Sequence, residues 1–152
     1  ADWKRPSPES APVHAKAAGL YMICTLSKHA AEKKGFTDAL MLDYRGYIAE
    51  ATGANIFFVD GEGTIHTPIA DCFLDGITRR TVIQLAESLQ MKVVQRHLTL
   101  EDVADMEECF LTGTAAEVTP VSKIGELTFT PGDASRQLVE GYEDLVRGRI
   151  SV

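Results

Sequence analysis

The chain has 152 residues, 45% hydrophobic and 24% charged, which suits one globular domain with a substantial core. Net charge is −7, and lysine and arginine never run longer than two, so nucleic acid is excluded as an expected partner. No apolar run is long enough for a membrane-spanning helix, and the polar N-terminal residues carry no secretory pattern. Cys24, Cys72 and Cys109 are scattered among apolar neighbours and read as reduced core thiols of a cytoplasmic protein. No metal is expected: His14, His29, His66 and His97 lack zinc-ligand spacing.

In chain order, residues 1–13 are rich in proline and serine and read as a linker or lead-in, with a single domain over 14–152. Apolar positions Leu20, Ile23, Cys24, Ala30 and Ala31 predict a helix over 19–34, closed by Gly35. Strands are expected over 38–43 and 47–51 around Tyr44-Arg45-Gly46, then over 55–60 and 64–67 around Gly61-Glu62-Gly63. A helix over 77–90 follows, with Asp75 as its expected cap. Beyond it come a strand over 92–97, a short helix opened by a Thr99–Asp102 capping box, and strands over 108–112 and 118–124. An amphipathic helix after Pro131-Gly132-Asp133 closes the chain. Strands outnumber helices, and hairpins mix with crossovers. The expected fold is therefore α+β, an irregular barrel-like mixed sheet with flanking helices.

Four segments carry residues suited to chemistry. In His-Ala-Lys-Ala-Ala-Gly-Leu-Tyr (14–21), small neighbours leave Lys16 accessible as an amine nucleophile, and Tyr21 offers a phenol. In Ile-Ala-Glu-Ala-Thr-Gly-Ala-Asn (48–55), Glu50 ends an otherwise apolar strand, where a carboxylate can face a protonated ring nitrogen. Asp-Gly-Ile-Thr-Arg (75–79) is a glycine-containing entry to a helix, and its free amides with the Thr78 hydroxyl suit an anion. Thr-Gly-Thr-Ala-Ala-Glu (112–117) aims further amides and the Thr114 hydroxyl from a strand end. Solvated lysine, strand-end acid, helix cap and tight turn are the ordinary readings of these segments taken singly.

Together and in this order, the segments resemble the class IV pyridoxal-phosphate aminotransferases, and within them the branched-chain amino acid aminotransferases. The resemblance runs from about Val13 to the last helix. It implies pyridoxal 5'-phosphate as cofactor, joined covalently to Lys16, with Tyr21 at the ring's phenolic oxygen and Glu50 at its nitrogen. Ile77, Thr78 and Thr114 would hold the phosphate, and Thr114 and Ala115 would bind the substrate carboxylate. Lys16 would be the catalytic base in amino transfer between branched-chain L-amino acids and 2-oxoglutarate. The resemblance also implies a smaller N-terminal domain, expected to lie outside this chain, and the whole enzyme is expected to be at least a dimer. A D-amino acid aminotransferase, a class IV lyase, and a non-catalytic isolated domain are the rival readings.

Overall fold

The computed structural model describes residues 1–152. Its nine strands and three helices follow in order: α1 (Met22–Glu32), β1 (Leu40–Leu42), β2 (Ile48–Ala51), β3 (Asn55–Val59), β4 (Ile65–Thr67), α2 (Ile77–Ser88), β5 (Val93–Gln95), β6 (Glu108–Gly113), β7 (Glu117–Pro120), β8 (Lys123–Ile124), β9 (Leu127–Thr128) and α3 (Asp133–Val146). The central sheet has the order β5-β4-β3-β6-β7. Within it, β4 and β5 are parallel, joined through α2, and the other pairs are antiparallel. The hairpins β1–β2 and β8–β9 form two further small sheets. The expected α+β fold with a mixed sheet is the fold observed.

Strand β3 explains why the sheet is central. All five residues are buried, and after Asn55 the strand reads as an unbroken apolar run rather than an alternation. Successive side chains still point to opposite faces. Phe57 and Val59 join Ile65, Val82, Leu85, Phe110 and Leu138 in a core under α2 and α3. Ile56 and Phe58 join Ile48, Leu98, Val103, Cys109 and Phe129 in a second core on the other face. Phe57 stacks on Phe110 across the β3–β6 pair, with ring centroids 4.9 Å apart.

The turns follow their local chemistry. The Asp43 carboxylate accepts the backbone amides of Arg45, Gly46 and Tyr47, and Gly46 takes φ of +100°, which closes the β1–β2 hairpin. Helix α1 ends at Gly35 (φ +86°), where the Phe36 amide reaches the Ala31 carbonyl at 3.1 Å. Helix α3 is fastened at its start by Glu108 of β6, whose carboxylate accepts the Ser135 amide at 2.8 Å and the Ala134 amide at 3.3 Å.

Four expectations change. The predicted helix over 19–34 opens as a 3-10 turn, Ala18–Tyr21, before α1 begins. Asp75 does not cap α2: Gly76 stands at that position without a side-chain bond, and the Asp75 carboxylate turns to Arg79 Nη1 at 2.7 Å. The buried Arg79 takes that carboxylate because its charge needs a partner more than the helix end does. Thr99 and Asp102 do form the reciprocal box, amide to side chain at 2.8 and 3.1 Å, yet they close a turn and no helix. Asp102 is also drawn to Arg96 at 2.9 Å. The single strand expected over 118–124 divides at Pro120. Its second part folds back through Gly125 (φ +58°) as the β8–β9 hairpin. No helix is long and apolar enough to cross a membrane.

Candidate active site

A cavity of about 440 Å³ opens where the 3-10 turn, the end of β2, the start of α2 and the β6–β7 turn meet. Lys16, Tyr21, Glu50, Ile77, Thr78 and Thr114 all line it. Six of the seven residues singled out from the sequence therefore share one wall system. Ala115, the seventh, lies next to Thr114 in the exposed turn, outside the lining.

Each wall is placed by its element. Lys16 is exposed and precedes the 3-10 turn, which carries Tyr21 to the rim at 37% exposure. Glu50 faces Met41 across the β1–β2 pair and is buried. Ile77 and Thr78 form the first turn of α2, whose leading amides have neither an intrahelical partner nor a side-chain cap. That end of the helix carries partial positive charge and suits an anion. Arg80 adds a cation to the same lining.

Glu50 is the electrostatic centre. Arg5 Nε lies 3.3 Å from Glu50 Oε1, both side chains nearly closed to water. Asn55 Nδ2 donates to Glu50 Oε2 at a long 3.4 Å and to the Leu74 carbonyl at 2.9 Å. The Gly76 amide donates to Asn55 Oδ1 at 3.2 Å. Asn55 thus ties the carboxylate to the loop that opens α2. Burial pushes the Glu50 carboxyl up to about 7, and the Arg5 charge pulls it back. Cys24 also lines the cavity; burial raises its thiol, with Arg5 opposing.

Two further observations describe what the cavity accepts. The Thr112 hydroxyl oxygen is buried, has no hydrogen-bond partner, and belongs to the lining. A Cβ at Gly76 would lie 2.4 Å from Asn55 Oδ1, so only glycine lets the loop approach this closely. An accessible amine, a buried carboxylate and an uncapped helix start suit an elongated ligand with an electrophilic carbon, a basic ring atom and an anionic tail.

Arg5, Cys24, Asn55 and Thr112 line the cavity as well, and sequence reasoning does not single them out as site residues. Thr112 had a usable signal, since alternation along β6 puts it on the same side as Phe110, facing inward. Arg5 had none, because its partner lies forty-five positions away in a different strand. A second cluster, Asp43, Asp71 and Cys72, gathers metal-type donors, but Arg45 Nη2 fills it, at 2.7 Å from Asp43, 2.8 Å from Asp71 and 3.4 Å from the Cys72 sulfur.

The family model for amino-transferase class IV matches residues 1–124. A probable branched-chain-amino-acid aminotransferase of Rickettsia bellii is 43% identical over 150 residues, covering 96% of this chain and 52% of that protein. The crystal structure of the branched-chain amino acid aminotransferase from Thermobaculum terrenum, in its PLP-form, aligns with a TM-score of 0.93 at 36% identity, over 98% of this chain and 50% of that one. The branched-chain aminotransferase of Thermoproteus uzoniensis, solved with norvaline, gives 0.94 at 35% identity, over 98% and 50% of the two chains. The chain spans about half the length of the relatives it matches.

Proposed function

The chain belongs to the class IV aminotransferases, and on that premise we propose that it forms the cofactor-binding part of a pyridoxal-phosphate enzyme. The reaction is amino transfer between branched-chain L-amino acids and 2-oxoglutarate. The observation that carries this reading is the convergence of Lys16, Glu50 and the open start of α2 on one cavity.

The residues present fit pyridoxal 5'-phosphate. The amides of Ile77 and Thr78, with the Thr78 and Thr114 hydroxyls, would hold its phosphate at the positive end of α2. Thr112, whose hydroxyl lacks a partner, adds an unspent polar group to the lining. Tyr21 would donate to the phenolic oxygen, Glu50 would stand at the ring nitrogen, and Lys16 would supply the amine that joins the cofactor. When bound, the cofactor supplies an electron sink for negative charge at the substrate α-carbon.

The remaining chemistry belongs to the chain. Lys16 Nζ, reachable from the cavity, takes the α-proton and later returns it. In its ionised form Glu50 places a negative charge at the inner end of the cavity, which favours a protonated ring nitrogen. The amides of the Thr114–Ala115 turn fix the substrate carboxylate.

Several exposed apolar side chains, Met22, Leu26 and Ile77, and the half-open Tyr21 lie on or beside the two helices at the mouth. They suit cover by a further N-terminal domain, which would complete the substrate pocket, and by a second subunit in a homo-oligomer. Three free thiols suit a reducing compartment such as the cytoplasm.

The test is covalent. The intact protein is incubated with pyridoxal phosphate, reduced with borohydride, and the modified peptide mapped. A label confined to Lys16, with turnover of L-leucine and none of D-alanine, is the expected result. Label scattered over surface lysines, or turnover of D-alanine alone, overturns the reading.

A further inference from the structure

We propose that Arg5 is a positioning residue for the amino-transfer reaction, favouring the ionised form of Glu50 and fixing its carboxylate at the inner end of the cavity. This rests on the function proposed above and adds a residue from the lead-in segment to its machinery. Arg5 is drawn into the fold by its own backbone, whose amide donates to the Leu42 carbonyl at 2.8 Å and makes a parallel bridge to Asp43. That contact delivers the guanidinium behind Glu50. There Nη1 is occupied by the Leu20 carbonyl at 3.3 Å and the Cys24 sulfur at 3.4 Å, while Nε faces Glu50 Oε1 at 3.3 Å.

The geometry separates charge from hydrogen bonding. Arg5 Nε is buried and makes no hydrogen bond, although it lies beside the carboxylate. The only donor on Glu50 is Asn55, at a long 3.4 Å. Glu50 therefore receives a permanent positive charge nearby, because a guanidinium does not lose its proton. Its oxygen lone pairs are left largely unspent for a ligand. Cys24, the other titratable group packed against the pair, stays a neutral thiol through burial, and Lys16 and Asp75 line the same cavity. Burial pushes the Glu50 carboxyl up to about 7, and the Arg5 charge is what keeps it from going higher.

A purely structural role, fastening the lead-in to β1, makes a different prediction. The intact protein is labelled with ¹³C-glutamate, and the Glu50 carboxyl signal, assigned by its loss in Glu50→Gln, is titrated without cofactor. Arg5→Gln should raise the midpoint by about one to three pH units, and Arg5→Lys, which keeps a charge, should return it towards the parent. In the loaded protein the pH profile of the bound-cofactor absorbance should move in the same direction. An Arg5→Gln midpoint equal to that of the parent, or a lysine variant that behaves like the glutamine one, overturns the proposal. Should Arg5→Gln fail to fold, Arg5→Met is compared with Arg5→Lys in the same titration: a higher midpoint in the methionine variant supports the proposal, and equal midpoints overturn it. Lys16 labelling separates the two failures. With the label on Lys16 and no shift at Glu50, only this inference falls; without the label, the functional reading falls first.

Discussion

Two glutamates, Glu50 and Glu108, are buried to nearly the same degree and each lies near the start of a helix, yet the fold uses them in opposite ways. Glu108 sits directly on α3: its carboxylate accepts the Ala134 and Ser135 amides and the Ser135 hydroxyl. Glu50 is held off α2 by Asn55, which stands between the carboxylate and the Gly76 amide. One helix start is consumed by a side chain of the protein, and the other is left open to a cavity. Burial of a charge by itself is thus a poor marker of function. The marker is how many of the buried group's hydrogen-bonding positions the protein fills.

The strongest way to break this contrast is at the open site. Lys16→Ala in the intact enzyme should remove the borohydride-fixed label and lower turnover by about 10²- to 10⁴-fold. Turnover at the parental rate would remove Lys16 from its assigned role. Glu50→Gln comes next: cofactor should still bind, and turnover should fall on the order of 10²-fold as the ring nitrogen loses its anionic neighbour. The same variant reports on stability. Glu50 has its carboxyl raised from 4.5 to about 7, so the folded state holds that proton more tightly than the unfolded chain. The stability contributed by this group is complete below about 4.5 and lost as pH rises through about 7. Glu50→Gln should flatten that stretch of the stability–pH curve; an unchanged slope would assign it to another group.

Glu108→Ala tests the filled helix start. It leaves two amides and a buried hydroxyl without their acceptor. A loss of about 1–3 kcal/mol in denaturant unfolding is expected, with Lys16 labelling retained. A variant that loses its label while keeping its unfolding midpoint would reverse the contrast. Effects no larger than this come from a pair of glycines. A Cβ at Gly76 would lie 2.4 Å from Asn55 Oδ1, and one at Gly132 would lie 2.4 Å from Glu108 Oε1. Each costs about 1–3 kcal/mol if the neighbouring side chain cannot give way. Gly76→Ala should register chiefly as weaker cofactor binding, Gly132→Ala chiefly as a lower melting temperature. The opposite pattern would place the functional opening at the wrong helix.

Much of this was legible along the chain, for reasons that are local. The Phe57-Phe58 run, the Gly61–Gly63 turn and the periodicity of α2 each decide structure within a few residues, and all three form as read. The four segments of the site were also visible, because each carries its chemistry in a short stretch. What escaped was set by distant partners. Asp75 looked like a cap until Arg79 claimed it. Thr99 and Asp102 made their box, but Arg96 also holds Asp102, and its carboxyl sits at about 2, first through that arginine and then through Thr99. Arg5 gave no sign in a proline-rich stretch that its charge would end inside the protein.

The cavity takes its lining from residues as far apart as Arg5 and Thr114. During synthesis the first of these leaves the ribosome long before the last, at roughly 5–20 residues per second. Until β6 and its following turn emerge, the nascent chain has a lysine and a glutamate but no closed cleft to share between them. The cleft is therefore a property of the finished domain, and no early segment of the chain carries it alone.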